Sequence, residues 1–164
     1  MVDVGAKVAT RRQAQVQCVI HLAPEAFEAI QAQRLKKGDP FTVAKIAGIQ
    51  AAKRTAELIP LCHSLPLDHL DVTYESDAAT HSIRLVASAA TTAKTGVEME
   101  AFVASAIGAL TLYDMVKAID SSATITDLQL LCKTGGTQSF KRPCGSRLEV
   151  RGSRQLPPAS SLEP

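Results

Sequence analysis

The 164-residue chain has no tryptophan, and with four phenylalanines and two tyrosines its aromatic content is only 4%. That scarcity argues against stacking platforms for single-stranded nucleic acid, and it leaves alanine and the aliphatic residues to fill the core, which suits close helix packing. Neither a G-x-x-x-x-G-K-[ST] loop nor a G-x-G-x-x-G turn occurs, so the usual nucleotide folds are not supported and no flavin or nicotinamide site is indicated. The four cysteines, Cys18, Cys62, Cys132 and Cys144, form no C-x-x-C pair and no zinc-ligand spacing. They read as reduced thiols, and no metal site is expected. A basic domain is missing too. From Thr137 onward Lys141, Arg142, Arg147, Arg151 and Arg154 outnumber Glu149 and Glu163, so this stretch carries +3 and residues 1–136 carry −1. Nothing there grips a nucleic acid by bulk charge. No amino-terminal stretch resembles a signal peptide, and no uninterrupted apolar run is long enough to cross a bilayer. The expectation is a soluble, intracellular protein that meets no membrane.

What is present is a chain with 46% hydrophobic residues, enough to bury one good core. Residues 14–22 alternate β-branched and polar side chains, the pattern of a half-buried strand. Pro24 opens a short helix to Arg34. In Lys37-Gly38-Asp39-Pro40 the aspartate is placed as an N-cap before a long amphipathic helix over 41–58. Ile59-Pro60 ends it and opens the loop 61–66. Strands over 68–75 and 81–90 follow, joined by a turn at 76–79, then a long helix over 97–119 and a strand over 124–132. The order β-α-α-β-β-α-β predicts an α+β fold of the ferredoxin-like type, an antiparallel sheet with helices packed on one face. One domain is expected over 1–136. Residues 137–164 turn to Pro, Ser, Arg and Gly without periodicity and read as a disordered tail. His21, His69 and His81 fall in strand contexts and are given no role.

The helix over 97–119 carries acids and bases at both ends and apolar residues between. Lys94-Thr-Gly-Val-Glu98-Met99-Glu100 leads into it, and Tyr113-Asp114-Met-Val-Lys117 closes it. Charges beside apolar surface need partners, so such groups face a ligand, another subunit or each other. Asp114 and Lys117 stand at i,i+3 and are neighbours, either a catalytic pair or a solvated ion pair; Glu98 and Glu100 fit a site or the helix dipole equally well. Glu100 and Asp114 lie on nearly one face but, fourteen residues apart, are separated by about 21 Å. One small ligand cannot touch both in a single subunit, so a shared reaction calls for a second copy and a self-complementary dimer. Lys37, Lys53, Lys94 and Lys133 flank turns or polar breaks, where an ammonium and exposed N–H groups can converge on phosphate. His63, in the tight apolar loop after Cys62, can donate to a ligand or move a proton.

Residues 46–54 (IAGIQAAKR), 58–63 (LIPLCH), 94–101 (KTGVEMEA) and 110–118 (LTLYDMVKA), with Lys37-Gly-Asp before and Lys133-Thr-Gly-Gly after, closely resemble the MoaC family of molybdenum cofactor biosynthesis. The resemblance covers residues 1–136 and places Met1-Val-Asp-Val inside the family's usual pattern. It implies a cyclic pyranopterin monophosphate synthase, a phosphorus–oxygen lyase. Such an enzyme converts (8S)-3′,8-cyclo-7,8-dihydroguanosine 5′-triphosphate to the cyclic pyranopterin with release of pyrophosphate, and uses no cofactor. By the same resemblance Asp114 is the catalytic acid/base and Lys117 its partner, Leu61, Cys62, His63, Met99 and Glu100 contact the substrate, and Lys37, Lys53 and Lys133 surround the pocket. It further implies a homohexamer, a trimer of dimers with pockets at subunit interfaces, in the bacterial cytoplasm or the mitochondrial matrix. The proton transfers suit a carboxylate and an amine whose pKa values are pushed toward neutrality by each other and by burial. Ser64 and Val116 replace a Pro and a Cys frequent in the family, with no charge removed. The competing reading is a nonenzymatic nucleotide-binding module or an inactive scaffold of the same fold.

Overall fold

A computed structural model describes residues 1–143. The elements run β1 (Thr10–His21), α1 (Pro24–Gln31), α2 (Pro40–Ala52), α3 (Thr55–Leu58), β2 (His69–Asp77), β3 (Ser82–Ala93), α4 (Glu98–Val116), β4 (Thr124–Thr134) and β5 (Phe140–Lys141). The strands form one antiparallel sheet in the order β2-β3-β1-β4-β5, the α+β architecture expected. Alternation decides the faces: Ala14, Val16, Cys18 and Ile20 of β1 and Ile83, Leu85, Ala87 and Ala89 of β3 are buried under the helices. The opposite face is polar, with Arg84 donating to Gln17 at 2.9 Å and to Glu75 at 2.8 Å, and Gln15 donating to Ser88 at 3.1 Å.

Small side chains let α2 and α4 touch along their backbones. A Cβ at Gly48 would lie 2.6 Å from the Ala104 carbonyl oxygen, and one at Gly108 would lie 3.5 Å from that of Ala44. The pairing of 48 with 104 and 44 with 108 makes the helices antiparallel neighbours. Among the described residues α4 is also the one helix long and apolar enough to cross a bilayer, yet 56% of its apolar window is buried, as in the core helix of a folded domain.

Several boundaries differ from the sequence reading. The helix expected over 41–58 stops at Ala52, where the buried Thr55 hydroxyl donates to the Ala52 carbonyl at 2.8 Å and a separate turn, α3, begins. The hairpin turn lies at 78–81 rather than 76–79, because Asp77 accepts from the Ala79 N–H at 2.9 Å and the Thr80 hydroxyl at 2.8 Å. His81, read as a strand residue, closes that turn with φ 47°. The stretch read as a tail from 137 contributes β5, where Phe140 and Lys141 pair with Lys133 and Cys132. The turn before β5 needs Gly135 at φ 85°, where a Cβ would collide with the Arg11 carbonyl oxygen. The rest of the expected tail, 144–164, lies outside the described residues.

Candidate active site

All the predicted site residues but Lys53 gather in two groups, one at each end of α4. At its carboxyl end Asp114 stands between two ammonium groups. Lys117, one turn on, reaches Oδ1 at 2.7 Å, and Lys37, from the loop before α2, reaches Oδ2 at 2.6 Å and the Asp114 carbonyl oxygen at 2.8 Å. Asp39 sets that loop by accepting from the Phe41 and Thr42 N–H groups, the N-cap expected for α2. The antiparallel packing of α2 on α4 then delivers Lys37 to Asp114.

This triad is exposed, with the Asp114 side chain at 52% accessibility. Hydrogen bonds from Lys117 and Lys37 hold the Asp114 carboxyl down at about 2, and the bond to Asp114 raises the Lys117 ammonium. The expectation that the pair moves toward neutrality is therefore corrected: opposite charges in contact push the two values apart, and the slight desolvation of these exposed groups does not outweigh them. At neutral pH the group is a carboxylate clamped by two cations.

At the amino end of α4, Leu61, Cys62, His63, Met99 and Glu100 line one cavity of about 500 Å³. Glu100 is 4% exposed, and its Oε2 has no hydrogen-bond partner. Burial, reinforced by the nearby charge of Glu98, raises its pKa; burial and the charge of Glu100 raise that of the Cys62 thiol. Each of the two groups therefore holds its proton to a higher pH than it would in water. An adjoining polar cavity of about 110 Å³ holds Lys133, whose ammonium donates to Glu98 at 2.9 Å. Glu98 and Gly96 line both cavities.

Lys53 joins neither group by contact. It caps α2, is exposed, and has no ion pair or side-chain hydrogen bond among the described residues. The antiparallel register of α2 and α4 carries it toward the Glu100 end. Lys94, expected to meet phosphate, instead donates to the Gly5 carbonyl at 2.7 Å. Three features were missed in the sequence: the direct Lys37–Asp114 contact, the Glu98–Lys133 pair, and the cavity wall made by Val2, Val4 and Lys7. The Ala44-Gly48-Ala52 stripe on α2 was the available signal for the first, since small residues at i,i+4 mark where another helix comes close. Among the described residues no three His, Cys, Asp or Glu side chains gather to hold a metal ion.

A model of the MoaC family matches residues 1–136. Over 144 residues the chain is 48% identical to the cyclic pyranopterin monophosphate synthase of Oleidesulfovibrio alaskensis, covering 88% of this chain and 91% of that protein. It is 50% identical over 136 residues to the enzyme of the same name from Trichodesmium erythraeum, covering 83% of this chain and 82% of that one. Human molybdenum cofactor biosynthesis protein 1 is 48% identical over 136 residues, or 83% of this chain. The chain spans only 21% of that human protein's length.

Proposed function

The chain belongs to the MoaC family, and from that premise we propose that it is a cyclic pyranopterin monophosphate synthase acting on (8S)-3′,8-cyclo-7,8-dihydroguanosine 5′-triphosphate. Its products are cyclic pyranopterin monophosphate and pyrophosphate. The observation that carries the reading is Asp114 clamped between Lys37 and Lys117 at 2.6 and 2.7 Å, at the opposite end of α4 from a cavity lined by His63 and Glu100. A binding module has a use for lysines but none for a carboxylate held ionised between two of them.

Opening the imidazole-derived ring and reclosing it as a pyranopterin demands several proton transfers, which a carboxylate and adjacent ammonium groups can accept and return. Free Asp114, at about 2, is a weak base. Substrate seated over the exposed triad excludes water and draws the ammonium charge toward its phosphates, and both effects raise the carboxylate toward a useful basicity. The buried carboxyl of Glu100 and the imidazole of His63 are suited to orient the base and sugar. Closing the cyclic phosphate breaks the bond to the pyrophosphate, whose departing charge falls to Lys37, Lys117, Lys53 and Lys133.

One substrate cannot reach both ends of α4 in a single copy, so the enzyme works as a homo-oligomer; the family resemblance implies a hexamer built as a trimer of dimers. Support comes from the outward faces of α2 and α4, where Ile46 and Leu110 are 50% and 53% exposed beside exposed Val43. Helices apolar on the side away from their own core ask for cover there too. Incubation with the purified cyclic nucleotide, with pyranopterin and pyrophosphate both assayed, tests the activity. Asp114→Asn is expected to lower kcat by at least about a hundredfold while leaving substrate binding within severalfold. Unchanged product formation by this variant removes Asp114 from the chemistry.

A further inference from the structure

The first eight residues form neither helix nor strand, yet Val2, Val4 and Lys7 make one wall of the 500 Å³ cavity. Local bonds fold this strap: the Gly5 N–H donates to Asp3 Oδ1 at 2.7 Å, and the Lys7 N–H donates to the Val4 carbonyl at 3.1 Å. A long-range bond fastens it, from the Lys94 ammonium to the Gly5 carbonyl at 2.7 Å. Arg12 secures the tether in turn by donating to the carbonyls of Ala93 and Lys94 at 3.1 and 3.3 Å. Lys7 is the sole lysine or arginine lining this cavity, and its ammonium has no ion-pair partner among the described residues. Of the two acids in the same wall, Glu98 is already met by Lys133 and Glu100 is buried. A lysine without an ion-pair partner in the wall of a cavity of this size is suited to meet an anion.

We propose that Lys7 is a substrate-binding residue that meets a phosphate-bearing group in the cavity, and that Lys94 is a positioning residue holding the strap that carries it. This rests on the reading of the substrate as a triphosphate. Lys94 acts only through Lys7, so its loss matters to the extent that the strap leaves the wall.

The test uses the full chain and two readouts, calorimetric binding of inorganic triphosphate and steady-state turnover of the cyclic nucleotide. Lys7→Met is expected to weaken triphosphate binding and raise KM by about tenfold, as loss of one charged hydrogen bond does, with kcat changed less than about twofold. Lys7→Arg restores most of the affinity. Lys94→Met gives a similar loss, faster tryptic cleavage after Lys7, and no further loss when combined with Lys7→Met. Wild-type affinity in Lys7→Met, or no triphosphate binding by the wild type, overturns the role of Lys7; additive losses in the double variant overturn that of Lys94. Lys7-dependent triphosphate binding without wild-type turnover would instead sink the reaction and keep the anion site.

Discussion

Glu100 shows how burial gives one side chain its chemistry. In the first turn of α4 it could have served the helix dipole, but it points inward, 4% exposed, with one oxygen unpartnered. Sequence position alone could not distinguish these fates, because direction depends on which face of α4 meets the sheet. The raised pKa has a stability consequence with a definite sign. Below its ordinary value of 4.5 the carboxyl is protonated in both folded and unfolded chains and costs nothing. As pH rises, the unfolded chain releases the proton first, so stability falls until the folded group ionises as well. Glu100→Gln is therefore expected to melt higher than the wild type at pH 8, with the gap closing toward pH 5 in thermal unfolding at fixed ionic strength. A gap independent of pH would mean that the buried charge is not the cause. Activity falls in the same variant, since the carboxyl that orients the substrate is lost.

Helix packing governs what can be assembled from such side chains. Asp114 and Lys117 were legible as neighbours because i,i+3 is a property of one helix. Lys37, 77 residues away, was not legible as their third member, because its position follows from the contact between α2 and α4. The same contrast holds for the fold. The alternation in β1 and the Asp39 cap announced their elements, whereas the end of α2 and the turn after β2 were decided by single hydrogen bonds from Thr55 and Asp77. β5 escaped notice because a two-residue strand set by Gly135 and Gly136 leaves no periodicity. Gly48 is the pivot of the helix pair. Gly48→Ala drives a methyl group against the Ala104 carbonyl oxygen, which cannot swing aside, whereas at Gly108 the nearest atom is a Leu85 methyl at 3.1 Å. Overpacking costs about 1–3 kcal/mol, offset by roughly 1 kcal/mol from the better helix propensity of alanine. Denaturant titration should show Gly48→Ala less stable than Gly108→Ala, and the former should also lose turnover as Lys37 shifts from Asp114. Equal stability of the two variants would show that the helices separate without cost.

For the molecule as a whole, the central claim is that each α4 carries halves of two sites, Asp114 with Lys37 and Lys117 at one end and Glu100 with His63 at the other. The spacing was readable from the sequence, since helical rise is fixed; the surface that covers the outward faces of α2 and α4 was not, because apolar residues on every side of a helix do not say what lies across them. Complementation tests the claim directly. Asp114→Asn and Glu100→Gln chains, each nearly inactive alone, are co-refolded in equal amounts and assayed for pyranopterin formation. If sites are shared across a two-fold axis, half of the dimers are mixed and each has one intact site of two, so about a quarter of wild-type activity returns. A mixture no more active than its parents would place the whole site within one chain and contradict the account.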